Sequence, residues 1–296
     1  MEVYFERVDD LEKNVDELLR ELSWKKIISR DDRVLIKPNF CTHQLKNGVT
    51  TNLDLLRALV DIISKRTPKV FIGETHSGGK NFEKLRERLD VKCDFINLST
   101  VDTYYHKGSI GTYRLPKLAL ESKIINVPVL KTHSLTGVTL GIKNIFGLIQ
   151  NKGKSKYHLK IHDVLADLLQ VLRPQINILD AIYCNCKGSN DGRILETKFL
   201  LASHDAVALD TAACQLIGAD PLSVKYIRLL SRPEGAVEIL GEGFEDLGLR
   251  LQIPKLDKVE KIAMHLQGNP LTRRMLELPG VYSAAKRIKK MLSRIS

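Results

Sequence analysis

The chain has 296 residues, of which 43% are hydrophobic, and this is enough for a packed core in one large or two ordinary domains. Its five cysteines include no C-x-x-C pair, which argues against a disulfide framework, a zinc ribbon and an intrinsic [4Fe–4S] cluster. No apolar run is long enough to span a membrane, and the first residues lack the features of a secretory signal, so we expect a cytoplasmic protein.

The formal net charge is +11, from 46 lysines and arginines against 35 acidic residues, and it is unevenly distributed. Residues 271–296 contain seven basic side chains and one acidic side chain, and residues 152–160 form a second basic cluster. Such clusters attract phosphates, nucleic acid, anionic lipid or an acidic substrate, although a solvated lysine-rich surface is the simpler interpretation.

The predicted elements alternate between strand-like and helix-like segments along the chain. Apolar runs predict strands at residues 3–8, 33–39, 69–76, 93–98, 110–115, 123–130, 176–180 and 199–202, with weaker candidates at 237–240 and 249–253. The helical spacing of apolar residues predicts helices at residues 9–22, 55–63, 82–89, 159–172, 206–217, 224–230 and 281–295.

Strands that are separated by helices imply right-handed crossovers and a parallel sheet. We therefore predict an α/β fold with a largely parallel sheet, helices on both faces of the sheet, and a C-terminal helical appendage. No Gly/Ser-rich or Pro-rich linker marks a boundary, so residues 1–256 are predicted to form one domain and residues 257–296 the appendage. The helix predicted at 281–295 has one apolar face and a basic remainder, which suits a membrane surface, an acidic partner, or docking on its own domain.

The ligand site of an open α/β sheet lies beyond the carboxyl ends of its strands, and polar residues follow several of the predicted strands there. Among them are His43, His76 and His133, which would converge on one edge if the strands are parallel. Histidine suits proton transfer near neutral pH and also metal binding. A single histidine at a strand end is more often a loop or capping residue, but His76 and His133 both occur in a Thr-His-Ser tripeptide.

The segment from Lys131 to Gly147 is the richest in glycine and polar residues. Its glycines would let the backbone approach a ligand, and its N–H groups could hold an anion. Together with Lys37, the amines of Lys131 and Lys143 are candidates to bind a carboxylate or phosphate group. The alternative is a buried loop in which the glycines serve packing alone.

Other histidines and cysteines have spacings that metal sites use. His158 and His162 are four residues apart at the predicted start of a helix, where both rings would lie on one face and could bind a metal ion. Two unrelated helix-terminal histidines are the alternative. Cys184 and Cys186 could bind a soft metal, but two thiolates are too few for a cluster. Cys41, at a strand end, is the better candidate for a functional thiol.

Several segments, in this order, resemble a prokaryotic family called domain of unknown function 362. They are Lys37-Pro-Asn39, Lys131-Thr-His133, Gly141-Ile-Lys-Asn-Ile-Phe-Gly147, His158 and Asp205-Ala-Val-Ala-Leu-Asp210. The resemblance runs from about residue 33 to residue 220. Many members of that family also carry a ferredoxin-type segment with [4Fe–4S] clusters, for which this chain has no cysteine motif. The resemblance therefore implies that any such cluster would belong to a partner protein.

The same region is distantly similar to nickel-dependent lactate racemase. In that enzyme a lysine tethers a nicotinate-derived pincer cofactor, one histidine ligates its nickel, and two other histidines exchange a proton at the carbon beside the carboxylate. The similarity implies that His76 and His133 form the acid–base pair, that Lys143 is the tether, and that His158 or His162 is the nickel ligand.

The sequence thus favours an enzyme that acts on a small anionic molecule by histidine-mediated proton transfer. Its cofactor is left open between nickel, another divalent metal and the pincer group. The predicted site residues are His76 and His133 for catalysis, Lys143, Asn144, Lys131 and Gly141 for the cofactor, Lys37, Asn39 and Thr132 for the anion, and His158 and His162 for the metal. The alternatives are a partner protein in an iron–sulfur or redox assembly, and a basic protein that binds nucleic acid or a membrane surface.

Overall fold

A computed structural model describes residues 1–42, 45–75, 86–88, 91, 93–150, 153–186, 193–231, 236–256, 258–269 and 272. The chain divides into two compact units. The first comprises Met1–Lys152 and His162–Pro254, and the second comprises Gly153–Ile161 and Lys255–Ser296. The predicted helix at 281–295, most of the one at 82–89, and the histidines at positions 43 and 76 lie outside the described residues.

The strands and helices follow the apolar patterns of the sequence closely. The described strands are β1 (Glu2–Arg7), β2 (Val34–Pro38), β3 (Val70–Glu74), β4 (Asp94–Asn97), β5 (Thr103–Gly108), β6 (Gly111–Pro116), β7 (Lys123–Val127), β8 (Val129–His133), β9 (Gly137–Thr139), β10 (Ile176–Asn185), β11 (Ile194–Ser203) and β12 (Glu238–Leu240). The described helices are α1 (Leu11–Glu21), α2 (Trp24–Ile27), α3 (Leu53–Ser64), α4 (Lys117–Leu120), α5 (Gly141–Ile145), α6 (Ile161–Leu172), α7 (Ala206–Leu216), α8 (Lys225–Leu230) and, in the second unit, α9 (Lys258–Gly268).

The main sheet has the strand order β12-β1-β11-β10-β7-β2-β3-β4, with β8 paired to β10 and β9 paired to β8. The strands from β10 through β7, β2 and β3 to β4 are parallel to their neighbours, whereas β11 is antiparallel to both β1 and β10. The protein therefore has an α/β fold with a mostly parallel mixed sheet, as predicted. The strand predicted at 110–115 forms β6, which pairs with β5 in a separate two-stranded sheet.

Buried strands and capped helices explain why this sheet forms. All five residues of β2 are buried, as are four of the five in β7, and each large apolar side chain contributes roughly 1.5–3 kcal/mol when it is fully buried. Asp10 caps α1 by accepting a hydrogen bond from the Lys13 N–H, and Asn52 caps α3 in the same way. Two polar side chains, Lys37 and Asn126, interrupt the buried strands near their carboxyl ends.

Two local predictions are wrong. Residues 249–253 form no strand, because they pair with no strand in the described part of the chain, and the Leu251 N–H donates instead to the Ile217 carbonyl (3.0 Å). The helix predicted from residue 159 begins at Ile161, after a 3-10 helix at Lys154–Lys160. His158 therefore lies in the 3-10 helix and His162 in α6, whereas the prediction placed both at the start of one α-helix.

In the parts of the chain that the structure describes, no helix combines the length and the apolar character that crossing a bilayer needs.

Candidate functional site

The carboxyl ends of the parallel strands carry a cluster of polar side chains. Lys37 and Asn39 lie at the end of β2, Glu74 ends β3, Asn126 lies in β7 and Lys131 lies in β8. Each of these side chains belongs to a residue that is less than one tenth exposed. Burying a polar group costs free energy unless it is hydrogen-bonded, so the partners of these groups determine the character of the site.

Lys37 and Glu74 form a buried ion pair between β2 and β3. The Lys37 Nζ lies 2.9 Å from Oε2 of Glu74, and the two side chains are 1% and 3% exposed. The carboxylate also accepts the backbone N–H groups of Thr75 (2.8 Å) and Phe40 (3.3 Å). The charge of Lys37, which was predicted to bind an anion, is therefore balanced by a carboxylate of the protein itself.

Four asparagine side chains connect β2, α5, β7 and β10. Nδ2 of Asn39 donates to Oδ1 of Asn144 (3.0 Å), and Nδ2 of Asn144 donates to Oδ1 of Asn126 (2.9 Å). Nδ2 of Asn126 then donates to Oδ1 of Asn177 (3.0 Å) and also to the Gly141 carbonyl (3.0 Å). In the structure, the predicted cofactor residues Asn144 and Gly141 thus hold α5 against the end of the sheet.

Lys131 has a set of acceptors that suits an ammonium group. Its Nζ lies 2.7 Å from Oδ1 of Asn39, 2.7 Å from the Val49 carbonyl and 3.8 Å from Sγ of Cys41. These three acceptors match the three N–H donors of a protonated lysine. Burial lowers the pKa of Lys131, while Cys41 and Asp180 oppose that shift. The amine of Lys131 is therefore a donor group that the protein itself coordinates.

Lys143 lies in α5 and is partly buried, with its Nζ 4.8 Å from the centre of the Phe146 ring. Burial, and secondly the nearby amine of Lys131, lower the pKa of Lys143 to about 8, whereas Cys41 acts in the opposite direction. At pH 7.5 about a quarter of such amines are neutral, against about one in a thousand for a lysine with an ordinary pKa. The structure thus brings Lys131, Lys143 and Cys41 together, and we call these three residues the lysine cluster.

Two buried carboxylates hold the loops around the lysine cluster. Asp210 of α7 accepts the Gly141 N–H (2.7 Å) and the Ile142 N–H (3.1 Å), and burial raises the pKa of Asp210 to about 7. Asp180 of β10 accepts the Asn52 N–H (2.7 Å) in front of α3, and burial raises its pKa to about 6. Both carboxylates therefore position the backbone that surrounds the site.

His133 is the last residue of β8 and is partly buried. Its Nδ1 accepts the Leu135 backbone N–H (3.0 Å), so the neutral ring carries its proton on Nε2. The hydroxyl of Thr132, a predicted anion contact, donates to the Asn185 carbonyl (3.5 Å). His76 lies outside the described residues, so its pairing with His133 stays a prediction.

His162 packs inside the first unit. Its ring stacks on Tyr226 with 6.1 Å between the ring centres, and burial followed by the charge of Lys225 lowers its pKa to about 4. Lys143 is not among these described neighbours of His162. His158, the other predicted metal ligand, lies in the second unit. Among the described residues, no group of three or more His, Cys, Asp or Glu side chains is arranged to hold a metal ion.

Surface clefts lie in other parts of the first unit. One, of about 520 Å³, is lined by residues of α1 and α3 and by Trp24, and another, of about 640 Å³, is lined by residues that include Arg173 and His204. Neither is lined by the lysine cluster. Neither of these two clefts therefore marks the candidate site, which is identified from the chemistry of its side chains.

Glu74, Asn126 and Asn177 were not among the predicted site residues, although all three belong to the polar network. For the two asparagines a signal was present, because each interrupts a run of apolar residues in a strand that is otherwise buried. Such a residue needs a hydrogen-bond partner inside the protein.

The protein is thus an α/β protein with a mostly parallel sheet. The carboxyl edge of that sheet carries a buried network of lysines, asparagines and carboxylates. The chain belongs to the family described as domain of unknown function (DUF362), whose model matches residues 34–215. The resemblance that was inferred from the motifs is thus confirmed, and the matched region contains the lysine cluster, the asparagines and Asp210.

Two relatives show how far the similarity extends. The chain is 26% identical to the thylakoid-associated protein sll1697 of Synechocystis sp., in a match that covers 65% of this chain and 65% of that protein. A crystal structure of a protein from Thermotoga maritima is similar with a TM-score of 0.36 and 11% identity, over 57% of this chain and 50% of that chain. A structural similarity of that degree does not bear on function.

Proposed function

We propose that this protein is an enzyme that binds a small anionic molecule, with a carboxylate or phosphate group, at the lysine cluster. The observation that carries the proposal is that Asn39 links the two lysines: its Oδ1 lies 2.7 Å from Nζ of Lys131, and its Nδ2 donates to Oδ1 of Asn144 (3.0 Å), the neighbour of Lys143 in α5. Two lysine amines in one polar network create, when they are protonated, a field that favours an anion.

The two lysines would have different tasks. The donors of Lys131 are directed at acceptors of the protein, so Lys143 is the amine that would contact the ligand. An anion bound there would raise the pKa of Lys143, because an opposite charge favours the ammonium form. In the free protein the neutral fraction of Lys143 is nucleophilic, which suits a covalent link to a carbonyl or carboxyl compound.

His133 would transfer the proton. Its Nε2 carries the proton in the neutral ring, and a histidine at a strand end can act as an acid or a base near neutral pH. A proton on the carbon beside a carboxylate is only weakly acidic, so its removal needs electrostatic stabilisation of the resulting charge. Lys143 would supply that stabilisation, and His76 would be the second member of the predicted acid–base pair.

The resemblance to lactate racemase would add a nickel pincer cofactor, and the described residues fit it only in part. Lys143 fits the tether, because an amine with a lowered pKa can form an amide or thioamide link. His162 does not fit as the nickel ligand, because it is stacked on Tyr226 and its described neighbours do not include Lys143.

Hydrogen–deuterium exchange tests the proposal. The protein, purified from its native host, is incubated in D₂O with a panel of 2-hydroxy and 2-amino carboxylates, and loss of the proton beside the carboxylate is followed by NMR. We expect exchange with at least one acid, reduced by about 100-fold or more in His133→Gln. His204→Gln is the matched control, because that exposed ring contacts the Gln175 carbonyl (3.0 Å), and it should exchange at the normal rate. Exchange with no acid, or full exchange by His133→Gln, contradicts the proposal.

A second candidate function is association with a membrane surface. The name of the Synechocystis relative describes it as thylakoid-associated, and residues 271–296 of this chain carry seven basic side chains and one acidic one. Anionic lipid attracts basic segments by roughly 1 kcal/mol for each lysine or arginine near the surface. Sedimentation with vesicles that contain anionic lipid should therefore fall sharply when residues after 278 are removed, and unchanged sedimentation would exclude this role for the segment.

A further inference from the structure

Two cysteines at the carboxyl end of β10 have their sulfur atoms side by side. Cys184 lies in β10 and Cys186 follows that strand directly, and their Sγ atoms are 3.8 Å apart. Residues two apart in a strand direct their side chains to the same face, which explains why the thiols meet. The backbone on either side is fixed to β11, because Cys184 is in register with Leu195 and the Cys186 N–H donates to the Arg193 carbonyl (2.9 Å).

The geometry allows a disulfide but does not make it a stable crosslink. Disulfides join Cα atoms that are up to about 6.8 Å apart, and residues two apart in a strand are separated by about 6.6 Å, near that limit. The sulfurs would have to approach by about 1.8 Å to reach the bond length of about 2.05 Å. A loop this short also removes little chain entropy from the unfolded state. A Cys184–Cys186 disulfide would therefore be easily reduced again, as regulatory disulfides are.

The two thiols differ in a way that assigns them different roles. Cys186 is partly exposed, whereas Cys184 is fully buried. Burial, followed by the charge of Cys186, raises the pKa of Cys184 to about 12. Once the Cys186 sulfur is bonded to another sulfur it carries no charge, so that second contribution disappears and Cys184 is more easily deprotonated. Cys186 is therefore suited to react first and Cys184 to react second.

We propose that Cys184 and Cys186 form a redox-active dithiol, which low-molecular-weight disulfides oxidise reversibly to an intramolecular disulfide. The Cys186 thiolate attacks one sulfur of the external disulfide, forms a mixed disulfide and releases the first thiolate. The Cys184 thiolate then attacks the sulfur of Cys186 and releases the second thiolate. The two protons lost by the cysteines go to the two released thiols, so the protein loses two electrons and the external disulfide gains them.

The position of the dithiol connects it to the strand of the lysine cluster. Asn185, the residue between the two cysteines, is in register with Lys131 of β8, and its carbonyl accepts the hydroxyl of Thr132 (3.5 Å). The redox chemistry is nevertheless independent of the proposed function, because it needs only the two thiols and an external disulfide. A failure of the carboxylate exchange assay would leave it unaffected.

A glutathione titration tests this proposal. The reduced protein is equilibrated without oxygen in buffers that contain different ratios of glutathione disulfide to glutathione, then alkylated and analysed by intact and peptide mass spectrometry. We expect the protein to lose two hydrogen atoms, with the disulfide mapped to the peptide that contains Cys184 and Cys186, and to recover them in excess glutathione. In Cys184→Ser the reaction should stop at a glutathione adduct on Cys186, and in Cys186→Ser the modification of Cys184 should be at least about tenfold slower.

Cys214→Ser is the matched control, because Cys214 is fully buried in α7, and this variant should oxidise like the wild-type protein. Circular dichroism shows whether each variant is folded, and Cys184→Ala replaces Cys184→Ser if the serine disturbs the core. The proposal is overturned if the wild-type protein keeps both thiols at every ratio. It is also overturned if glutathione adducts accumulate equally on Cys186 in the wild-type protein and in the Cys184 variant.

Discussion

Replacing Glu74 by glutamine would remove the buried negative charge next to Lys37. The pair is 2.9 Å apart and both side chains are almost fully buried, and breaking such a pair from one side costs about 3–5 kcal/mol. The loss of stability also has an upper limit, because an unpaired Lys37 can give up its proton. At pH 7 that deprotonation costs about 4.6 kcal/mol for an ordinary lysine pKa of about 10.4. Glutamine keeps one oxygen, which can accept either the Thr75 N–H, bonded to Oε1 in the wild-type protein, or the Phe40 N–H, bonded to Oε2, so the loss combines the charge with one backbone hydrogen bond. We expect Glu74→Gln to lower the free energy of unfolding by about 3–5 kcal/mol.

Denaturant unfolding at pH 7 measures this loss. Glu17→Gln is the control, because the exposed pair of Glu17 with Lys13 (3.7 Å) should contribute less than about 1 kcal/mol. The double variant Lys37→Met/Glu74→Gln should recover most of the stability, since it contains no unpaired buried charge. The penalty of Glu74→Gln should also shrink by up to about 2.7 kcal/mol between pH 7 and pH 9, because a lysine loses its proton more easily there. If Glu74→Gln is no more destabilising than Glu17→Gln, the reasoning about Lys37 is refuted.

Two further predictions concern the loop and the carboxylate around α5. A Cβ at Gly147 would lie 3.1 Å from Cε and Nζ of Lys37, so Gly147→Ala should destabilise the protein by about 1–3 kcal/mol. Gly153→Ala is the control and should be neutral, because a Cβ at Gly153 meets nothing within 4 Å. Equal denaturation midpoints for the two variants would show that the space beside Gly147 is open. Because the pKa of Asp210 is raised to about 7, the folded protein holds a proton that the unfolded chain has released, so this group's contribution to stability falls as pH rises from about 4 to 7. Asp210→Asn should flatten that fall in a pH series of unfolding free energies, and an unchanged slope would speak against a raised pKa.

The fold was predictable wherever an apolar run decided the structure. The buried strands at Val34–Pro38 and Lys123–Val127 and the crossover helix at Leu53–Ser64 follow from periodicity alone. Periodicity could not separate a 3-10 helix from an α-helix at residues 154–160, because both satisfy a short amphipathic pattern. It also could not show whether residues 249–253 would find a neighbouring strand, since pairing is a property of the whole sheet.

The candidate site was predictable in its location but not in its hydrogen bonds. The rule that ligands bind at the carboxyl ends of parallel strands placed Lys37 and Lys131 at one edge, whereas Lys143 was a candidate from the glycine-rich segment that contains it. Their different roles depend on partners that are distant in sequence: Glu74 is 37 residues from Lys37, and Asn39 is 92 residues from Lys131. Residue type alone cannot tell a lysine that is neutralised inside the protein from one that remains to bind a ligand.

The pKa of Lys143 is the quantity that tests the central claim most directly. It can be measured by NMR after the lysines are labelled with ¹³C-methyl groups, with Lys143→Arg used to assign the signal. We predict that Lys143 titrates near pH 8 in the free protein and that added inorganic phosphate moves its pKa upward. A pKa close to that of an ordinary lysine, unchanged by phosphate, would contradict the claim that the lysine cluster is an anion site.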